Sequence, residues 1–295
     1  MSTGTTPDVG VAVHEHDQLG EGPTWDGRSG QLVRVDILRG RVLAWTPGAR
    51  SSTARSFGGE VSAAVPREGG GMVLAIGHDL VAVDGDGGAR CLLATVEADE
   101  PDTRFNDCRC DPQGRLWAGT MSKTRTPNRA ALYRIATDEP IAAVEAPTTL
   151  SNGLGWSPEG DRMYFIDSTT QRIDLYDFDG AEGMLNGRRP FAAISAGDGL
   201  PDGLTVDAEG GVWVCLFGGG EIRRYDPSGS LDAAITLPTT NPTCPTFGGP
   251  DLRTLYVTTA RHRLTDAQLA EQPLAGAVLE LEPGVAGLPV NRFAG

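Results

Sequence analysis

Residues 152–167 read NGLGWSPEGDRMYFID and residues 202–216 read DGLTVDAEGGVWVCL. Each opens on a carboxamide or carboxylate, places an apolar residue four positions on, turns on glycine and runs into an apolar strand. The same shape recurs at 21–36 (EGPTWDGRSGQLVRVD), 61–76 (VSAAVPREGGGMVLAI), 106–120 (NDCRCDPQGRLWAGT) and 243–258 (TCPTFGGPDLRTLYVT). The six starts lie 40, 45, 46, 50 and 41 residues apart. Every unit then continues into a further strand: RVLAWTP, LVAVDGDG, ALYRIATD, RIDLYDFDG, EIRRYDPSG and AVLELEPG. These strands alternate apolar and polar residues and end in Asp- and Gly-rich turn chemistry, as antiparallel hairpins do. Short strands grouped every 40–50 residues are the signature of a propeller blade. The expected fold is therefore all-β, a six-bladed β-propeller. A pair of β-sandwiches would not explain one pattern recurring six times.

The flanking segments fit this plan. Residues 1–8 are expected to form a flexible N-terminus, and residues 9–295 a single propeller domain. Residues 9–16 (VGVAVHEH) alternate like a strand that completes the last blade and closes the ring. Residues 265–272 (TDAQLAEQ) form the one expected helix, with a Thr-Asp start suited to capping. The glycine runs at 69–71 and 218–220 lack a following Gly-Lys-Ser/Thr and read as hairpin turns.

Composition narrows the partners. The chain has 295 residues, with 25 Lys and Arg against 39 Asp and Glu, for a net charge of −14. That balance argues against nucleic acid or an anionic membrane surface, both of which demand basic patches. Apolar residues make up 39%, enough for a sizeable core. No apolar run reaches membrane-spanning length. Five cysteines without a secretory signal read as reduced thiols in a cytoplasmic protein. Cys108 and Cys110 would face one side of a strand. His14, His16, His78 and His262 form no metal-binding spacing and read as structural or exposed. No H-E-x-x-H, G-x-S-x-G or phosphate-binding loop is present.

The first residue of each repeat carries the chemistry. Placed just before the innermost strand of its blade, each of these residues should approach the central channel at one mouth. Around the ring they are Glu21, Val61, Asn106, Asn152, Asp202 and Thr243. Four of the six are oxygen donors, suited to Ca²⁺, Mg²⁺ or Mn²⁺, and carboxylates also serve Zn²⁺. Converging carboxylates are costly unless a cation or a proton lies between them. Asn152-Gly153 and Asp202-Gly203 are also turn dipeptides, so each pair alone could merely make a turn.

The motifs LGEGPTWD, RFNDCRCDPQGRLWAGTM, LSNGLGWSPEGDRMYFID and PDGLTVDAEGGVWV, with CPTFGGPDLRTLYVTTAR near the end, resemble the regucalcin (senescence marker protein)/gluconolactonase family. The resemblance runs from about residue 20 to 290. It implies a six-bladed propeller that binds one divalent metal and hydrolyses sugar lactones. By motif, Glu21, Asn152 and Asp202 would be metal ligands, and Arg104 and Asn106 would contact substrate. The repeat argument selects these positions too, Arg104 excepted. The chain departs from the family at Cys108, where Gly is common, and at 122–130 (SKTRTPNRA), where animal members carry an acidic stretch. Lys123 and Arg125 stand there instead.

Lactone hydrolysis needs a polarised carbonyl, an activated water and support for the oxyanion. The bound metal would act as Lewis acid. Asp202 would serve as general base, and the Arg104 fork would suit sugar hydroxyls or the oxyanion. An ion pair to Asp107 or Asp102 is the structural alternative for Arg104. The competing functions are another metal-dependent esterase or organophosphate hydrolase, and a non-catalytic calcium-binding propeller.

Overall fold

The computed structural model describes residues 7–85, 88–137 and 139–295. Strand β1 (Gly10–Val13) comes first. Blade 1 follows as β2 (Gly20–Asp26), β3 (Gln31–Asp36), β4 (Arg41–Trp45) and β5 (Thr53–Ser56), and blade 2 as β6 (Val61–Pro66), β7 (Met72–Ile76), β8 (Asp79–Val83) and β9 (Arg90–Thr95). Blade 3 comprises β10 (Thr103–Cys110), β11 (Leu116–Ser122), β12 (Ala130–Ile135) and β13 (Ala142–Thr148). Blade 4 comprises β14 (Ser151–Trp156), β15 (Arg162–Asp167), β16 (Arg172–Asp179) and β17 (Met184–Ala193). Blade 5 comprises β18 (Leu200–Val206), β19 (Val212–Phe217), β20 (Glu221–Tyr225) and β21 (Leu231–Thr236). Blade 6 has β22 (Pro242–Gly248), β23 (Thr254–Thr259) and β24 (Val278–Leu281). Its fourth, outermost strand is β1, paired antiparallel to β24 through Gly10–Glu280 and Val11–Leu279.

The six four-stranded antiparallel sheets make the expected six-bladed β-propeller. The N-terminal strand closes the ring, as the alternation over 9–16 predicts, although only Gly10–Val13 pair. Of the tail expected over 1–8, the first six residues lie outside the described residues. Helix α1 (Asp266–Glu271) follows β23, and Thr265 and Gln268 form a reciprocal capping box at its start. No helix among the described residues is long and apolar enough to cross a membrane.

Burial falls from the axis outward. Every residue of β14 (SNGLGW) is buried, whereas every residue of β5 (TARS) is exposed. Inner strands are covered on both faces by neighbouring blades, so their sequences lose the polar alternation that third strands such as EIRRY keep. Apolar clusters fill the interfaces between adjacent blades. One joins Trp117 and Leu132 of blade 3 to Leu154, Trp156 and Phe165 of blade 4. Another brings Trp25, Leu32 and Trp45 of blade 1 against Tyr256 and Val278 of blade 6. Cys108 and Cys110 share one such cluster, between blades 2 and 3, as their spacing predicts.

The start of each repeat lies inside the innermost strand, not just before it. There the pairing with the second strand slips: between Glu21 and Thr24, Phe105 and Cys108, Ser151 and Leu154, Pro201 and Leu204, and Pro242 and Pro245, with Val61 and Ala63 in blade 2. A bulge bends a strand and re-aims its side chains. The turn alternative for Asn152-Gly153 and Asp202-Gly203 therefore does not hold. Both dipeptides are in strands, and their glycines answer to close approach. A Cβ on Gly153 would stand 2.7 Å from Leu204 N, and one on Gly203 would stand 2.7 Å from Cys244 Cα. Neighbouring inner strands can converge on the axis only because these side chains are missing.

Candidate active site

At the bulged end of the inner strands a cavity of about 90 Å³ is lined by Glu21, Arg104, Asn106, Asn152 and Asp202. All five site residues expected from sequence thus face one hollow, drawn from blades 1, 3, 4 and 5. The remaining ring positions do other work. Val61 packs in the apolar cluster between blades 1 and 2, and Thr243 Oγ1 donates to Gly20 O at 2.6 Å.

The floor is acidic and largely buried. Burial, followed by the charge of Asp107, raises the Glu21 carboxyl to about 8. Burial, then the charges of Glu21 and Asp107, pushes Asp202 well above the usual carboxylate range. Asp107 is itself raised by burial, and its Oδ2 is buried without a hydrogen-bond partner. Asn152 Nδ2 donates to Ser168 Oγ at 3.1 Å, and Ser168 Oγ donates to Pro201 O at 2.6 Å. This chain ties blade 4 to blade 5, and no donor reaches Asn152 Oδ1 among the described residues.

These features fit a divalent cation. Three oxygen donors converge, two of them carboxylates whose mutual repulsion a cation removes. Among the described residues, no three His, Cys, Asp or Glu side chains gather closely enough to hold a metal. The third ligand would have to be the Asn152 carboxamide, an oxygen donor of the kind hard cations accept.

Arg104 is buried beside this floor. Its Nη1 donates to Asn106 Oδ1 at 2.9 Å and to Phe105 O at 2.7 Å, and its Nε lies 3.5 Å from Glu60 Oε1. Asn106 Nδ2 in turn donates to Ser151 O at 2.9 Å. The ion-pair partner is therefore Glu60 of blade 2, not Asp107 or Asp102. Asp102 instead anchors the loop after β11, accepting from Ser122 Oγ at 2.5 Å and Thr124 Oγ1 at 2.8 Å.

Of the two basic residues that the sequence singles out in the 122–130 segment, one reaches the site, and two further lining residues had no sequence signal. Arg125 lines the cavity, whereas Lys123 is exposed and does not. His262 and Arg263 come from the loop between β23 and α1, outside any repeat, and also line it. The assignment of His262 to a structural or exposed role is thus incomplete. Asp107 does not line the cavity, but it lies in the bulge of β10 and its charge acts on Glu21 and Asp202, an effect that simple strand alternation gives no reason to expect. A larger hollow, of about 280 Å³, lies at the other end of the inner strands. Arg109 is its one charged lining residue, so it offers no comparable set of donors.

The chain has relatives of known sequence and fold. The SMP-30/Gluconolactonase/LRE-like region matches residues 19–261. Regucalcin of Xenopus laevis is 34% identical over 97% of this chain and 98% of its own length. The candidate sugar lactone lactonase YvrE of Bacillus subtilis strain 168 is 35% identical over 94% of this chain and 95% of its own. The crystal structure of a calcium-binding protein, regucalcin, from Agrobacterium tumefaciens superposes with a TM-score of 0.92 at 30% identity, covering 98% of this chain and 97% of that one. With its repeats, its ring of oxygen donors and near full-length similarity, the chain belongs to the SMP-30/gluconolactonase/LRE-like family.

Proposed function

We propose that the protein is a metal-dependent lactonase that opens a sugar (aldono-)lactone to the sugar acid. The observation that carries this reading is the convergence of Glu21, Asn152 and Asp202 from three blades onto one small cavity beside Arg104 and Asn106. The family name and the lactonase name of a relative at 35% identity point the same way.

Glu21, Asn152 and Asp202 would hold one divalent ion, Ca²⁺, Zn²⁺, Mn²⁺ or Mg²⁺. When bound, such an ion polarises an ester carbonyl and acidifies water. Asp202 would take the proton of the attacking water and return it to the ring oxygen as the ester C–O bond breaks. Arg104, held by Asn106 and Glu60, presents fixed donors to sugar hydroxyls or to the oxyanion. The buried floor excludes bulk water and strengthens these interactions. The free thiols among the described residues fit a reducing, cytoplasmic setting.

A calcium-binding role without turnover is the second reading, favoured by the calcium-binding description of the Agrobacterium structure. The deciding experiment is a panel of aldonolactones and aryl esters followed by proton release, on metal-free and metal-reloaded protein. Turnover of aldonolactones that requires metal is expected. Tight metal retention with no turnover of any lactone would overturn the lactonase in favour of the binding protein. Turnover of aryl esters alone would favour a different hydrolase.

A further inference from the structure

We propose that the mouth of this cavity is built for a lactone carrying a second, anionic group, a carboxylate or a phosphate, which Arg125 and Arg263 hold. This deepens the lactonase reading and rests on it.

Arg125, Arg263 and His262 line the cavity together with Arg104. In a chain of net charge −14, most such groups would find a carboxylate. Arg104 does, in Glu60. Neither Arg125 nor Arg263 forms an ion pair within 4 Å among the described residues, although the charge of Asp202 reaches Arg125 across the cavity. Arg263 Nε donates to a ring nitrogen, His262 Nε2, at 3.4 Å. Two unpaired arginines facing one hollow repel each other. Burial, and then the charge of Arg263, lower the basicity of Arg125, and the opposing charge of Asp202 does not offset them.

The backbone holds both residues in place. Arg125 has φ 60° and Arg263 has φ 68°, the left-handed region that an arginine seldom occupies. Such conformations are strained and persist where the surroundings enforce them. Around Arg125 the enforcement is visible. Asp102 pins Ser122 and Thr124, Arg125 N donates to Ser122 O at 3.0 Å, and Thr126 N donates to Ser122 Oγ at 2.8 Å. Around Arg263, His262 N donates to Gln18 O at 2.8 Å and Asn241 Nδ2 donates to His262 O at 2.9 Å. Two separate loops thus present fixed cations to one opening.

The lining carries both signs of charge: Asp202 is buried and Glu21 half-buried, while Arg125 is half-buried and Arg263 exposed toward the mouth. Planar forked donors suit carboxylate and phosphate oxygens. A substrate with its ester at one end and an anion at the other would be held in a single orientation, with the ester carbonyl toward the metal ligands. A neutral lactone would leave the two arginines unpaired.

The test compares a neutral hexono-1,5-lactone, its 6-phosphate and its 6-carboxylate on metal-loaded protein. At least one anionic lactone should exceed the neutral one in kcat/KM by tenfold or more. The arm that does so assigns the anion. Arg125→Asn and Arg263→Asn remove the charge while suiting the left-handed backbone. Each should reduce the anionic-to-neutral ratio roughly tenfold, as expected for loss of one charge-assisted hydrogen bond. Equal turnover of all three lactones, or variants that lower all three alike, would overturn the proposal. If no lactone is hydrolysed, the lactonase reading fails, and the anion site is read separately by calorimetry. Tighter binding of a hexonate 6-phosphate or 6-carboxylate than of the plain hexonate, lost in Arg125→Asn, would uphold the site, and equal binding would remove it.

Discussion

Arg104 Nη1 donates to Asn106 Oδ1 at 2.9 Å, two residues along the same strand, across the bulge that follows Phe105. The contact uses the Asn106 oxygen, while its amide nitrogen is spent on Ser151 O. Asn106 thus orients Arg104 as well as lining the cavity, and the pair should act as a unit.

Coupling between them is measurable. Arg104→Ala and Asn106→Ala should each raise KM for polyhydroxylated lactones more than for alkyl lactones. The double variant should be little worse than Arg104→Ala alone, with a coupling energy of about 1 kcal/mol or more in a double-mutant cycle on kcat/KM. Strict additivity would show that Asn106 acts independently of Arg104.

Asp202→Asn separates base from ligand. The carboxamide keeps an oxygen donor but cannot accept the proton, so kcat should fall by roughly 10²–10⁴ at saturating metal. Metal affinity should fall too, because a charge is lost beside the cation, so calorimetric proof of metal loading accompanies the rate. A metal-loaded variant as fast as wild type would place the base elsewhere.

Metal removal should make stability depend on pH in a defined direction. In the metal-free protein the Glu21 carboxyl is raised from 4.5 to about 8, by burial first and Asp107 second. Between those values the native state binds more protons than the unfolded chain, so stability falls as pH rises through this window. Asp202 and Asp107 are shifted in the same direction. A shift of one unit is worth about 1.4 kcal/mol, so Tm of metal-free protein should drop by several degrees from pH 5 to pH 8. Added divalent cation should flatten the profile. A metal-free Tm that is level or rises over that range would contradict the crowded acidic floor.

The blades carry a stabilising device away from the site. Asp111 Oδ2 accepts from Trp117 Nε1 at 3.0 Å and Arg115 Nε at 2.6 Å. Asp207 Oδ2 does the same for Trp213 Nε1 at 2.9 Å and Arg224 Nε at 2.7 Å. Asp111→Ala would strand a fully buried indole N–H and leave Arg115 without its carboxylate, with only the Ala181 and Gly180 carbonyls and Gln113 as partners, at a cost of about 3 kcal/mol or more. Thermal unfolding followed by circular dichroism should show Tm lowered by roughly 6 °C or more. A Tm within a degree or two of wild type would show that the indole and guanidinium find other partners.

The sequence by itself determined the ring. Six copies of one strand pattern demand six equivalent sheets, because each unit has an inner strand that only a neighbouring blade can bury. The shared register also sufficed to select Glu21, Asn106, Asn152 and Asp202, since equivalent positions in a ring point at the same axis. Only the tertiary structure decided the rest. The bulge at each inner strand brings Asp107 to bear on Glu21 and Asp202 against simple alternation. Glu60 meets Arg104 across a blade boundary. Arg125 and Arg263 lie far apart in the chain, in loops that the repeat does not include, yet they line one opening. A local pattern specifies what every blade shares. What differs between blades depends on which loops the closed ring brings over the channel, and that follows from long-range packing.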